Sequence, residues 1–123
     1  MSNLKLPNLS YSNLKALTGG RYGKTIAYAT TATDSDTLIT VSHHGNEIAD
    51  VSADSVILMT AGWHSQTTAA RLNRLLVDNL SNTPYRVGIR DGYTCLVNHA
   101  TPKERVYFNK VVFTADGSFK VKY

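Results

Sequence analysis

One long stretch of the chain repeats its apolar residues at helical spacing. Ala69, Leu72, Leu75, Leu76 and Leu80 fall on one face, and Thr67, Arg71, Arg74 and Asp78 on the opposite one. A chain with one principal helix, expected over about residues 67–79 of a 65–80 segment, must build most of its core from strands. Ser65 or Thr67 is placed to cap the first turn, and the stretch from Asn79 to Pro84 stops the helix. Arg74 and Asp78 stand four apart, as an ion pair on a helix requires, whereas Arg71 has no partner in its own helix.

The remainder reads as strands. TIAYATTAT (25–33) and TLITVS (37–42) form one hairpin around Asp34, Ser35 and Asp36. His44, Gly45 and Asn46 mark a turn before Glu47 to Val51. The run Val56, Ile57, Leu58 and Met59 is apolar on both faces, as in a central strand. Asp91 and Gly92 accept the positive φ of a two-residue hairpin turn between period-2 segments. Pairing Arg90 with Tyr93 then sets Val87 opposite Leu96 and Arg86 opposite Val97. Tyr85, Val87, Ile89 and Leu96 line the core face, and Arg86, Arg90, Tyr93, Cys95 and Val97 the other. A second hairpin joins Arg105–Thr114 to Phe119–Tyr123 around Asp116 and Gly117, with Lys120 and Lys122 on the face opposite Phe119, Val121 and Tyr123.

With 123 residues, these segments fit one α+β domain, a mostly antiparallel sheet with one amphipathic helix packed on it. Residues 1–22 are irregular or hold a short helix from Ser12 to Leu17 ended by Gly19 and Gly20, with Leu4, Leu6, Leu9, Leu14 and Leu17 as anchors. Residues 23–60 are strands, 65–80 the helix, 85–100 a hairpin and 105–123 the C-terminal hairpin. A single Cys95 gives no intrachain disulfide framework and no Cys-based zinc site. No apolar run is long enough for a membrane span, and the first residues lack a signal-peptide core, so the expected location is the cytoplasm with no membrane partner.

Three motifs carry chemistry that must be weighed. GGRYGKT (19–25) ends like a phosphate-binding loop, but has three intervening residues instead of four, no strand before it and a β-like run after it. His43 and His44 are adjacent, face opposite sides of a strand and do not converge on one metal, and His64 and His99 lie far along the chain. Cys95 and His99 are too far apart along a strand to act as a nucleophile pair. The expectation is therefore a protein that is not an enzyme, with no cofactor and no metal.

Charge and aromatic residues point to binding. The net charge is −1 over residues 1–61 and +5 over residues 62–123. Arg71, Arg74, Arg86, Arg90, Lys120 and Lys122 supply cations for phosphate, and Tyr93 a ring on which a base can stack. DNA or RNA is the expected partner. The alternative is a host protein, captured through a sheet edge or aromatic patch, and open edges also permit a homodimer. Gly62, Trp63 and Thr67 are expected as structural anchors, with Trp63 wedged between helix and sheet.

The block from Gly62 to Asn73, GWHSQTTAARLN, resembles the Gly-Trp-x-Thr-x-Thr-Thr-x-x-Arg-x-Asn pattern of a large family of small bacteriophage proteins of unknown function. Gly23 to Thr31, the His-Gly turn before Ile48, Asp54, and Tyr85 with Val87 are also similar to that family, which puts a basic residue near Ala69 or Ala70 and a Trp where this chain has Tyr93. The resemblance implies phage origin, a compact β-plus-helix fold and hence the host cell cytoplasm. On that basis two roles are expected, a nucleic-acid-binding accessory protein or a host-directed inhibitor of a defence or takeover target.

Overall fold

The computed structural model describes residues 6–62, 64–80, 83–101 and 103–122. In chain order the elements are α1 (Tyr11–Thr18), β1 (Lys24–Ala27), β2 (Thr30–Asp34), β3 (Ile39–His43), β4 (Asn46–Val51) and β5 (Ser55–Met59). Then come α2 (Gln66–Asn79), β6 (Tyr85–Arg90), β7 (Tyr93–Asn98), β8 (Arg105–Tyr107), β9 (Lys110–Thr114) and β10 (Phe119–Lys122). The strands form a seven-stranded sheet in the order β1-β2-β3-β4-β5-β9-β10 and a three-stranded sheet in the order β6-β7-β8, antiparallel throughout. This is a small α+β domain, as the sequence predicts. α2 and the smaller sheet are inserted between β5 and β9, which pair directly.

Alternation along the strands decides which face is buried. Ala32, Ile39, Val41, Ala49, Val51, Val56, Leu58, Val111 and Phe113 of the large sheet are buried, and Leu14 of α1 and Leu72, Leu75 and Leu76 of α2 belong to the same core. Leu96 joins them from the small sheet. The Tyr85 ring meets the Phe119 ring edge-on at 4.9 Å, which ties the small sheet to β10. A bulge between β3 and β4 adds one residue at Ile48, so that both Ile48 and Ala49 are buried.

Helix ends follow their residues. Ser10 caps α1 and Gly19, in the left-handed region at φ 54°, ends it. For α2 the cap is Ser65, whose hydroxyl accepts from the Thr68 N–H. Thr67 therefore lies inside the helix, exposed, and is not the cap. The far end of α2 holds the N-terminal segment, because Asn79 accepts from the Tyr11 N–H and donates to the Leu9 carbonyl, both at 2.9 Å, while Asp78 accepts from the Leu9 N–H at 2.8 Å.

The hairpin around Asp91 and Gly92 has the expected register, with Arg90 paired to Tyr93, Val87 to Leu96 and Arg86 to Val97. Both turn residues have positive φ. The expected central strand is β5, with β4 and β9 on either side. Two expected strands break instead. The run 25–33 turns at Tyr28 and Ala29, where Ala29 takes φ 51°, and its halves pair as β1 and β2. Two bonds from distant residues hold that turn, His44 N–H to the Ala29 carbonyl and Arg71 to the Tyr28 carbonyl. The run 105–114 breaks at Phe108 and Asn109, sending β8 to the small sheet and β9 to the large one. Buried Phe108 and the bond from the Thr60 N–H to the Asn109 carbonyl fix the break. The C-terminal hairpin is thus β9 and β10 alone. Trp63 and Tyr123 lie outside the described residues, as does Leu4, and Leu17 is exposed where the sequence reading made it an anchor.

Replacing Asn79 with Ala removes the amide that bridges α2 to Leu9 and Tyr11, and leaves two backbone groups without partners. We expect a loss of about 2 kcal/mol in unfolding free energy, measured by urea denaturation.

Candidate functional site

Side chains of directly paired residues share a face of a sheet. In the small sheet Arg86 pairs with Val97 and Val97 with Arg105, Gly88 pairs with Cys95 and Cys95 with Tyr107, and Arg90 pairs with Tyr93. One face therefore carries Arg86, Arg90 and Arg105 together with Tyr93 and Tyr107. Tyr93 is 59% exposed and Tyr107 41%. The Arg86 guanidinium donates to the carbonyls of Thr83 and Tyr85, and Arg90 to that of Ile89. Neither is neutralised by a carboxylate among the described residues. Gly88 leaves the room in which Arg90 folds back over the sheet, since a Cβ there would sit 3.1 Å from Arg90 Nη1. On the same face lies buried Cys95, whose thiol pKa is raised by its burial.

Tyr93 and Tyr107 also frame a cleft of about 450 Å³ at the end of this sheet, with His64 and Asp91 on its walls. The Thr94 N–H donates to His64 Nδ1 at 3.1 Å, which places the proton of the neutral ring on Nε2. The His64 ring stands edge-on to Tyr93 at 5.4 Å. Tyr107 donates its hydroxyl to Asp91, and Arg105 lies 3.8 Å from the same carboxylate oxygen.

Of the residues selected from sequence, Arg86, Arg90 and Tyr93 come together on this face. Arg105 and Tyr107 join them and were missed. Their alternate spacing is visible in the sequence, but the continuous run Arg105–Thr114 reads as one strand of the C-terminal hairpin. Lys120 and Lys122 are exposed on β10, in the other sheet, with Lys122 directly paired to Lys110. Arg74 is half-buried and bound to Asp78 at 3.3 Å, the expected pair, and to the Pro7 carbonyl. Gly62 holds a turn at φ 81°.

Arg71 requires a correction. It is 2% exposed and cannot reach a phosphate backbone. Its guanidinium donates to Thr30 Oγ1 at 2.8 Å and to the carbonyls of Thr67 and Tyr28, each at 2.9 Å. The apolar stripe of α2 is wider than its leucines suggest, because packing on two sheets buries the Arg71 side as well.

The histidine pair is corrected too. His44 sits in the β3–β4 turn at φ 51°, not in a strand, and its ring lies 4.3 Å from that of His43. Both line a cavity of about 290 Å³ with Ser65, Thr67 and Thr68 at the start of α2. His43 is 5% exposed, and its Nδ1 lies 3.1 Å from Thr68 Oγ1. No group of three potential metal ligands forms among the described residues. The Gly19–Thr25 segment connects a helix to a strand, the reverse of the order a phosphate-binding loop needs, and leaves Arg21, Tyr22 and Lys24 exposed.

Both clusters fall inside the span of a family match, since residues 7–118 match the Kyanoviridae Gp96 protein family. The chain belongs to that family. It is thus a phage protein, as the resemblance implied. No curated protein and no solved structure matches it. No described helix of this Gp96 family member is long and apolar enough to cross a membrane.

His43 makes its stability depend on pH. Burial first, then the charges of Arg71 and His44, lower its pKa from 6.5 to about 4. As pH falls through this window the unfolded chain gains a proton that the folded chain refuses, so stability is lost from 6.5 downward and the loss is complete near 4. The full loss amounts to about 3 kcal/mol. Urea denaturation of His43→Gln across the same pH range should lack this component.

Proposed function

We propose that this phage protein is a non-enzymatic accessory protein that binds nucleic acid in the host cytoplasm through the outward face of β6, β7 and β8. The observation that supports this most is the convergence of Arg86, Arg90 and Arg105 with the exposed rings of Tyr93 and Tyr107 on one face. The guanidinium groups of Arg86 and Arg90, bonded only to carbonyls among the described residues, keep their full charge for phosphate, while Arg105 shares its charge with Asp91, and the exposed rings on the same face offer stacking platforms for unpaired bases. A strand face of this kind favours single-stranded RNA or DNA over a duplex, whose bases are not free to stack. Lys120 and Lys122 lie on another sheet and play at most a steering role.

A second reading, a host-directed protein ligand, is favoured by a different observation. Tyr22 and Tyr28 are 90% and 83% exposed beside the open edge strand β1, the combination that captures a partner strand. The same open edge is where a homodimer would pair.

The test is binding to labelled single-stranded RNA, single-stranded DNA and duplex DNA over a salt series. The single strands should bind more tightly than the duplex. Arg86→Glu, Arg90→Glu, Arg105→Glu should lower the log–log salt slope by about 2. Tyr93→Ala, Tyr107→Ala should weaken single-strand binding about tenfold or more with the slope retained. Absence of binding at low salt refutes the reading. Loss of host-protein capture in Tyr22→Ala, Tyr28→Ala would support the second one.

A further inference from the structure

A groove of about 420 Å³ lies at the open edge of the small sheet, where β6 meets α2. Its walls include Gln66 and Asn73 of α2, Arg86 and Arg90 of β6, and His99. Two guanidinium groups line it and no Asp or Glu does, so the field inside is positive. Arg86 uses Nη1 for the carbonyls of Thr83 and Tyr85, and Arg90 uses Nη1 for that of Ile89, which anchors both heads at the strand edge. The Nε and Nη2 groups of both have no acceptor among the described residues. Gly88, between them in sequence, forms the floor. The Arg90 head lies over it, 3.1 Å from where a Cβ would stand, and is thereby brought back one pleat toward Arg86.

The edge adds neutral donors to these cations. The Val87 N–H donates to Asn73 Oδ1 at 3.0 Å, which fixes the orientation of that amide and makes Asn73 Nδ2 a donor. Nothing among the described residues accepts from it. N–H groups of alternate residues in a strand point to the same side, so the Ile89 N–H faces the open edge as that of Val87 does. Ile89 lines the groove, and no acceptor among the described residues meets its N–H.

We propose that this groove is a phosphate clamp, in which Arg86 and Arg90 hold one phosphate group between them and Asn73 Nδ2 and the Ile89 N–H seat it against the edge of β6. Planar guanidinium forks match the oxygens of a phosphate, and a groove lined by no carboxylate offers them no competing partner. Where the phosphate belongs to a single strand, the clamp rests on the nucleic-acid reading and gives that strand a register, one backbone phosphate at the β6 edge with bases toward Tyr93 and Tyr107. Recognition of the phosphate group itself does not rest on that reading.

The experiment is a titration of the whole protein with inorganic phosphate and with a single-stranded oligonucleotide, with chloride at matched ionic strength as control. It is followed by the NMR signals of the Asn73 side-chain amide, the Ile89 amide and the arginine Nε–H groups. Saturable shifts of these signals with inorganic phosphate are the expected result. Asn73→Asp keeps an acceptor for the Val87 N–H while placing a negative charge in the groove, so the melting temperature should hold while phosphate affinity falls about tenfold or more. Gly88→Ala also spares the fold, because the backbone there is one that any residue adopts, and its Cβ pushes the Arg90 head aside, lowering phosphate affinity about threefold or more. Parallel weakening of oligonucleotide binding by both variants would place a strand phosphate in the clamp. Phosphate binding with no oligonucleotide binding would keep the clamp, as a site for free phosphate or a monoester, and remove the nucleic-acid reading. Shifts no different from those in chloride, or equal phosphate affinity in Asn73→Asp, would overturn the clamp even if oligonucleotides still bind through the sheet face.

Discussion

The guanidinium of Arg71 joins parts of the chain that are distant in sequence. From one position on α2 it reaches the Tyr28 carbonyl in the β1–β2 turn, the Thr30 hydroxyl on β2 and the Thr67 carbonyl one turn back in its own helix. That contact sets the height of α2 over the large sheet and holds a turn in which Ala29 has φ 51°. It also places Thr68 beside His43 and so shapes the cavity between them. A positive charge enclosed in this way supplies little net stability, but it restricts which arrangements of helix and turn are acceptable.

The small sheet has a different relation to the rest. α2 covers one of its sides and satisfies part of its edge, since the side-chain carbonyl of Asn73 accepts from the Val87 N–H. The face bearing Val87 and Leu96 turns to the core, and the face with three arginines and two tyrosines turns outward. Its basic and aromatic character is thus a by-product of strand alternation once the core side has been chosen. Both cavities begin from the same short segment ahead of α2, with His64 at the aromatic cleft and Ser65 at the cavity beside His43.

Local sequence carried much of this. The Asp91–Gly92 turn fixes the β6–β7 register by itself, which is why Arg86, Arg90 and Tyr93 could be placed on one face in advance. The leucine spacing of α2 and the stop glycine of α1 are equally local signals. What was not legible depended on distant partners. Arg71 reads as a solvated helix residue until Tyr28 and Thr30 are brought to it. Arg105 and Tyr107 read as the start of a hairpin until buried Phe108 and the bond at Asn109 divide the run between two sheets. His43 and His44 read as opposed until the turn backbone swings one ring against the other.

The pairing of β5 with β9 has a consequence for how the chain folds. Met59 meets Lys110 across a ladder that closes over everything between them, including α2 and the small sheet. Closing such a loop while it is still a flexible coil is entropically unfavourable, and a compact intervening segment shortens the distance to be bridged. The β1–β4 meander, by contrast, is built from neighbouring strands and short turns. The pairings within the meander are therefore the least costly to close, and the pairing of the β9–β10 hairpin along β5 is the one that costs most loop entropy.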